Sequence, residues 1–287
     1  MALRDLLVYV DQSDGALVRL RLSADLARRH SSRLTALYVR ERNPAQLHEQ
    51  STAELGLVSS EEINRTNQRI LKSIDDTAER LRSALEAIKL EHRLEVELRC
   101  LGGVASVVVA QHARFADLCV LSQNVPIDAT SVGYTFSEEL LFITGRPVLF
   151  VPEIGSFETL GRHILVAWNS SRASARAVND ALSLIERAEQ TTVLALNPTD
   201  YVDRYHALPP EKMVAHLKRH SASVQGISLK NVPTDSIADA LQAEAHKVGA
   251  DLIVAGAYGH PKLWEKLMGG VTRDLLARMT LPILMSY

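Results

Sequence analysis

Four glycines near the C-terminus have the spacing of a phosphate-binding loop. Gly256-Ala-Tyr-Gly259 follows an apolar run, and Gly269-Gly270 precede Val271-Thr272 after a nine-residue interval. The pattern is G-x2-G-x9-G-G-x-T. Gly256 and Gly259 let the backbone turn tightly and let a ligand approach it closely. The free N–H groups of a helix starting at Val271, with the helix dipole, form an anion site. Thr272 adds a hydroxyl donor. A lone glycine pair is explained as well by turns or close helix–strand packing. Four of them, at this spacing after a buried strand, favour the phosphate reading.

Other chemistry-bearing residues are weaker signals. Lys262 and Lys266 lie between the glycine pairs, within reach of phosphate or simply in solvent. Arg273 stands against the dipole in a first helical turn, so it pairs with an anion or with a nearby carboxylate. His216 and His220 are four residues apart on a predicted helix, a spacing that suits metal, but no third ligand is evident. No residues are assigned a catalytic role. G-x-S-x-G, GxxxxGK[ST] and C-x-x-C are all missing from the sequence.

The elements that position these residues occur twice. LLVYVDQS (6–13) parallels ILVAWNSS (164–171), and each leads into an amphipathic helix, 14–29 and 172–187. ARFADLCVLS (113–122) parallels HKVGADLIVAG (246–256), and RPVLFVP (146–152) parallels LPILMSY (281–287). Two copies are expected, 1–153 and 160–287, joined by 153–161 with its Gly155, Ser156 and Gly161. Each reads β-α-β-α-β-α-β-α-β. In the second copy the predicted strands are 163–168, 191–196, 223–230, 251–255 and 282–286. Its predicted helices are 172–187, 210–220, 235–248 and 271–279. Continuous apolar runs such as LIVA and VLFV fit parallel strands buried on both faces. The alternating runs 94–100 and 223–229 fit sheet edges. The fold class expected is α/β, two doubly wound five-stranded parallel sheets with helices on both faces. Ligands bind such sheets at the carboxyl ends of the central strands, where strand order reverses.

Composition limits the partners. The 287 residues are 46% apolar and 23% charged, with net charge −2. Nothing global attracts nucleic acid or an anionic membrane. No apolar stretch approaches the roughly 20 residues of a membrane span, and the first residues are not a signal peptide. Cys100 and Cys119 sit in apolar strand-like runs and read as reduced thiols. A cytoplasmic location is expected.

On the glycine motif and the repeat, which covers nearly the whole chain, the sequence resembles the universal stress protein family in a tandem form. The family carries G-x2-G-x9-G-(S/T) here, and in its ATP-binding members these residues cradle ribose and phosphates. The resemblance implies ATP or a related adenine nucleotide, with or without Mg, held by Gly256, Gly259, Gly269, Gly270, Val271 and Thr272. It departs at Gly270, where the family has a hydroxyl. It departs again at Asn169, where ATP-binding members place an Asp after the first strand. Asn169 still offers a donor and an acceptor to adenine or ribose. Trp168 beside it reads as packing or as a stacking surface. Leu196-Asn197 match the position whose backbone meets adenine. The first copy keeps Asp11, which also reads as a helix-start cap. Its glycine positions read Ser122-Gln123-Asn124-Val125 and Tyr134-Thr135, which fill the phosphate space.

The function implied is a stress-response protein that senses an adenine nucleotide and acts on protein partners. The alternatives are an interaction scaffold with relic glycines, or a weak ATPase. The order 3-2-1-4-5, seen in the family, makes Pro147–Val151 and Pro282–Ser286 apolar edge strands. These are expected to pair antiparallel within the chain, with Leu149, Val151, Ile283 and Met285 near the seam. A homodimer of tandem chains is also compatible with the pattern.

Overall fold

The structure, a computed structural model, describes residues 2–40, 60–123, 135–198, 209–221, 223–257 and 270–287. The first half runs β1 (Asp5–Val10), α1 (Gly15–His30), β2 (Arg33–Arg40), α2 (Ser60–His92), β3 (Val96–Gly102), α3 (Ala105–Ala113), β4 (Leu118–Ser122), α4 (Phe136–Ile143) and β5 (Val148–Val151). The second runs β6 (His163–Ala167), α5 (Arg172–Asp180), α6 (Leu182–Ile185), β7 (Gln190–Leu196), α7 (Glu211–Leu217), β8 (Val224–Leu229), α8 (Ile237–Lys247), β9 (Leu252–Gly256), α9 (Gly270–Arg278) and β10 (Ile283–Ser286).

All ten strands form one sheet, β3-β2-β1-β4-β5-β10-β9-β6-β7-β8. Each half therefore has the order 3-2-1-4-5, with parallel neighbours throughout. The halves join at the one antiparallel pair. Leu284 lies opposite Leu149, flanked by Ile283–Phe150 and Met285–Val148. Every residue of β5 and β10 is buried. The pairing answers the exposed apolar edges that separate sheets would present. The alternating segments become the outer strands β3 and β8, which keep partly exposed residues.

Chain direction dictates the layers. Right-handed crossovers that step outward from the first strand put their helices on one face, and those that return put theirs on the other. Residues of α1, α2, α5 and α6 accordingly share one core cluster, and those of α3, α4, α8 and α9 share the other. In α2 the buried stripe Ala78, Leu81, Leu85 and Ile88 has helical spacing.

One local difference from the sequence reading stands out. The helix expected over 172–187 breaks at Ala181, which has ψ near 0°, and restarts as the short α6. Ala181, Leu184 and Ile185 are all buried there, so core burial overrides an unbroken helix. The paired "Ala-Asp-Leu" segments have one structural task. Asp117 accepts from the Arg4 and Asp5 N–H groups at 2.7 and 3.0 Å. Asp251 accepts from Gly161, Arg162 and His163 at 2.9, 3.1 and 3.0 Å. Each carboxylate ties the start of the fourth strand of its half to the start of the first.

Candidate functional site

In the second half, β6 and β9 are adjacent, and the chain leaves them toward opposite sides of the sheet. This is the switch point at which doubly wound sheets open a crevice. Gly256 ends β9 there. A Cβ on it would lie 2.3 Å from the Ser174 nitrogen and 2.4 Å from the Ala173 carbonyl carbon. Both are backbone atoms of the first turn of α5, so glycine is required for β9 to abut that helix. The Ser171 hydroxyl caps α5 by accepting from the Ser174 N–H at 3.1 Å.

Asn169 stands in the turn between β6 and α5. Its Oδ1 accepts from the Ser171 N–H at 3.1 Å, and Ser170 takes a left-handed φ of 59°. Asp11 makes the corresponding hydrogen bond in the first half, accepting from the Ser13 N–H at 3.0 Å, without a left-handed residue at Gln12. The acceptor is a carboxylate in the first half and an amide in the second. Trp168 packs against the core, and its indole nitrogen has no hydrogen-bond partner.

Asn197 follows β7 with φ 49°. Its side chain donates to the Val232 carbonyl at 2.7 Å and accepts from the Val232 N–H at 2.9 Å. Its own N–H donates to Leu229 at 2.7 Å. Leu196 is buried. Asn197 is therefore a clamp between the ends of β7 and β8, with its side-chain groups already engaged.

Gly270 opens α9, and among the described residues a Cβ there would meet nothing within 4 Å. Val271 packs on the core and Thr272 is buried. Gly259, Gly269, Lys262 and Lys266 lie outside the described residues. The structure thus brings Asn169 and Gly256 together around the start of α5, puts Gly270 to Thr272 at the start of α9, and holds Asn197 at the end of β7.

The corresponding end of the first half is filled by its own side chains. Arg19 on α1 is fully buried, with Nη2 2.9 Å from Asp11 Oδ1 and Nη1 3.8 Å from Glu153 Oε1. The pairing is ionic and off-axis, since neither Nη1 nor Nη2 has a partner in hydrogen-bonding geometry. Glu153 lies over the start of α1, where a Cβ on Gly15 would come within 3.0 Å of its carboxylate. Its N–H donates to Gln123 Oε1 at 3.3 Å, and Gln123 Nε2 donates across the seam to Ala277 at 2.9 Å. Asp11 is thus spent on Arg19, and Glu153 takes the place of an anion at the helix start.

Sequence reasoning missed Arg19. The available signal was its spacing: it falls on the stripe Ala16-Arg19-Leu20-Ser23, which is buried throughout. Arg273 resolves toward a carboxylate, with Nε 3.1 Å from Glu138 Oε1 on α4. The His216 and His220 rings lie 5.1 Å apart, but His216 Nδ1 faces Arg219 and His220 Nδ1 faces Glu186 at 3.5 Å. Among the described residues no group of three or more potential ligands is arranged for a metal ion.

The fold and this end of the sheet define a duplicated, doubly wound α/β protein with a switch-point crevice in its second half. Residues 161–286 match the model described as the Universal stress protein family. A universal stress protein from Archaeoglobus fulgidus DSM 4304 superposes with a TM-score of 0.70, over 98% of this chain and 95% of that one, at 13% identity. A functionally unknown protein from Pseudomonas aeruginosa PAO1 superposes at 0.57, over 99% and 92%, at 18% identity. These likenesses are of fold over the full length. No curated protein matches in sequence. Among the described residues no helix is long and apolar enough to cross a membrane.

Proposed function

We propose that the second half binds an adenine nucleotide, ATP or a close relative, and that the chain acts as a ligand-sensing and interaction module. The observation that supports this most is the difference between the two switch points. In the first half Arg19, Asp11, Glu153 and Gln123 occupy the carboxyl ends of the strands. In the second, the equivalent end offers Asn169, the capped start of α5 and the start of α9, where Gly270 has open space beside it. Helix starts attract phosphate through their free N–H groups and dipole. In this reading Gly270, Val271 and Thr272 meet the phosphates together with Gly259 and Gly269, while Asn169 and the Leu196-Asn197 backbone face the base and ribose. Residues 1–153 serve as the fixed partner of 160–287.

Calorimetric titration of the full chain with ATP tests it. One site per chain is expected, lost in Gly259→Val while the circular dichroism spectrum is unchanged. Unchanged affinity in that variant rules the reading out.

A scaffold without nucleotide has one observation in its favour. Gly256 is fully explained by its contact with Ala173 and Ser174, without any ligand. Absence of a thermal shift in ATP, and release of no nucleotide on denaturation, would decide for it.

A further inference from the structure

On one face of the sheet the two halves meet through helix ends. The C-terminal ends of α1 and α6 come together with the N-terminal segment around a cavity of about 400 Å³. Its polar walls are Arg4, His30 and Ser31 from the first half and Ser183, Glu186 and Arg187 from the second.

The charge in this cavity is unbalanced. Among the described residues Arg4 and Arg187 make no ion pair with a carboxylate, and Glu186 faces His220 instead. Arg187 donates from Nη1 to the Arg29 carbonyl, which leaves most of its donor fork unspent. The Arg28 and Ala27 carbonyls at the end of α1 are answered within the chain, by the Ser31 and Ser32 N–H groups at 3.3 and 2.8 Å, with Ser31 in the left-handed conformation.

His30, 7% exposed, and Ser183, 6% exposed, reach the same walls. Among the described residues His30 Nε2 and Ser183 Oγ have no hydrogen-bond partner, but both atoms are sealed from the cavity by their neighbours, so the two guanidinium groups are the donors that face it. Burial, then the charges of Arg187 and Arg29, lower the His30 pKa to about 4. Its ring is thus neutral at pH 7 and adds no charge to the wall.

We propose that this cavity binds a small multivalent oxyanion, a phosphate ester or a di- or tricarboxylate, held between Arg4 and Arg187 with His30 beside it in the wall. Guanidinium forks match the planar or tetrahedral oxygens of either group. The volume is in the range of small-molecule sites. Each half supplies part of the wall, so the occupant bridges the halves and stabilises the joined chain by mass action. The site is independent of the nucleotide reading, because none of its residues lies at a switch point.

The test is calorimetry on the full chain in a buffer free of phosphate, sulfate and carboxylates, with inorganic phosphate and with citrate as separate probes. Saturable binding of at least one probe is expected at about one site per chain, weakened roughly tenfold or more by Arg4→Gln and by Arg187→Gln. Binding of phosphate alone assigns a phosphate ester, and binding of citrate alone a carboxylate. The His30 ring signals in NMR should move on saturation, and ATP affinity should be unchanged in Arg4→Gln. Among the described residues the exposed Arg4 side chain makes no hydrogen bond or ion pair, so that variant keeps the test open if Arg187→Gln fails to fold. Failure to bind either probe below ~10 mM, unchanged affinity in Arg4→Gln, or binding that leaves the His30 signals in place overturns the proposal.

Discussion

Arg273 on α9 and Glu138 on α4 form an ion pair across the seam, and they are the same position in the two halves. In the register that aligns Arg146–Pro152 with Leu281–Tyr287, Glu138 corresponds to Arg273. A twofold seam sets a residue near its axis against its own copy, so identical residues here would put like charges together. Divergence to opposite signs removes the repulsion and fits each half to the other. Glu138 also closes a capping box with Thr135 at the start of α4.

Glu138 is 1% exposed, and burial by itself raises its pKa. The Thr135 N–H and hydroxyl and the Arg273 guanidinium outweigh burial and leave the pKa lowered. A lowered carboxylate pKa adds stability that is present above the unfolded value and lost as pH falls through the folded one. Glu138→Gln should cost about 1–3 kcal/mol in urea unfolding at pH 7 and flatten the acid limb of the stability profile. A double-mutant cycle with Arg273→Gln measures the coupling.

The closed end of the first half gives a second prediction. Arg19 is buried and depends on Asp11 for its countercharge. Asp11→Asn, which copies Asn169, should destabilise the chain by about 3–5 kcal/mol, the cost of breaking a buried pair from one side. It should leave the ATP stoichiometry at one. Two equal ATP sites in the native chain would show that Arg19 and Glu153 do not close this end.

Gly256 and Gly270 should respond in opposite ways. Gly256→Ala drives a Cβ into the backbone of Ala173 and Ser174, so a drop of several degrees in Tm is expected. Gly270→Ser meets open space and restores the hydroxyl that the family motif carries. It should fold normally and tighten ATP binding by about 2- to 10-fold, the worth of one hydrogen bond. A weaker affinity would remove Gly270 from the phosphate contacts.

His30 predicts a pH dependence. Its folded pKa of about 4 lies below the ordinary 6.5, so the unfolded chain binds the extra proton between those values. Stability should therefore fall as pH drops from about 6.5 to 4, by at most ~3 kcal/mol from this group. Denaturation midpoints of His30→Gln across that range should show a shallower fall. An unchanged slope would locate the acid sensitivity elsewhere.

The sequence by itself determined the duplication, the β-α alternation and the two apolar final strands, which are properties of contiguous residues. The strand order and the antiparallel pairing of β5 with β10 were what the family resemblance implied for those strands. Leu149, Val151, Ile283 and Met285 were readable as lying near the seam because each sits in a short apolar run. The glycine motif and Asn169 were readable too, since their spacing is local.

Only the tertiary structure decided what those residues face. Gly256 is fixed by the backbone of α5, Asn197 by the turn after β8, and Asp11 by an arginine on the helix that follows it. Arg273 had two open partners in the sequence, and the choice fell to Glu138, 135 positions away. Charge pairs and close backbone contacts depend on distances between segments far apart in the chain. A periodic pattern says which face is buried, but not which group waits on the other side.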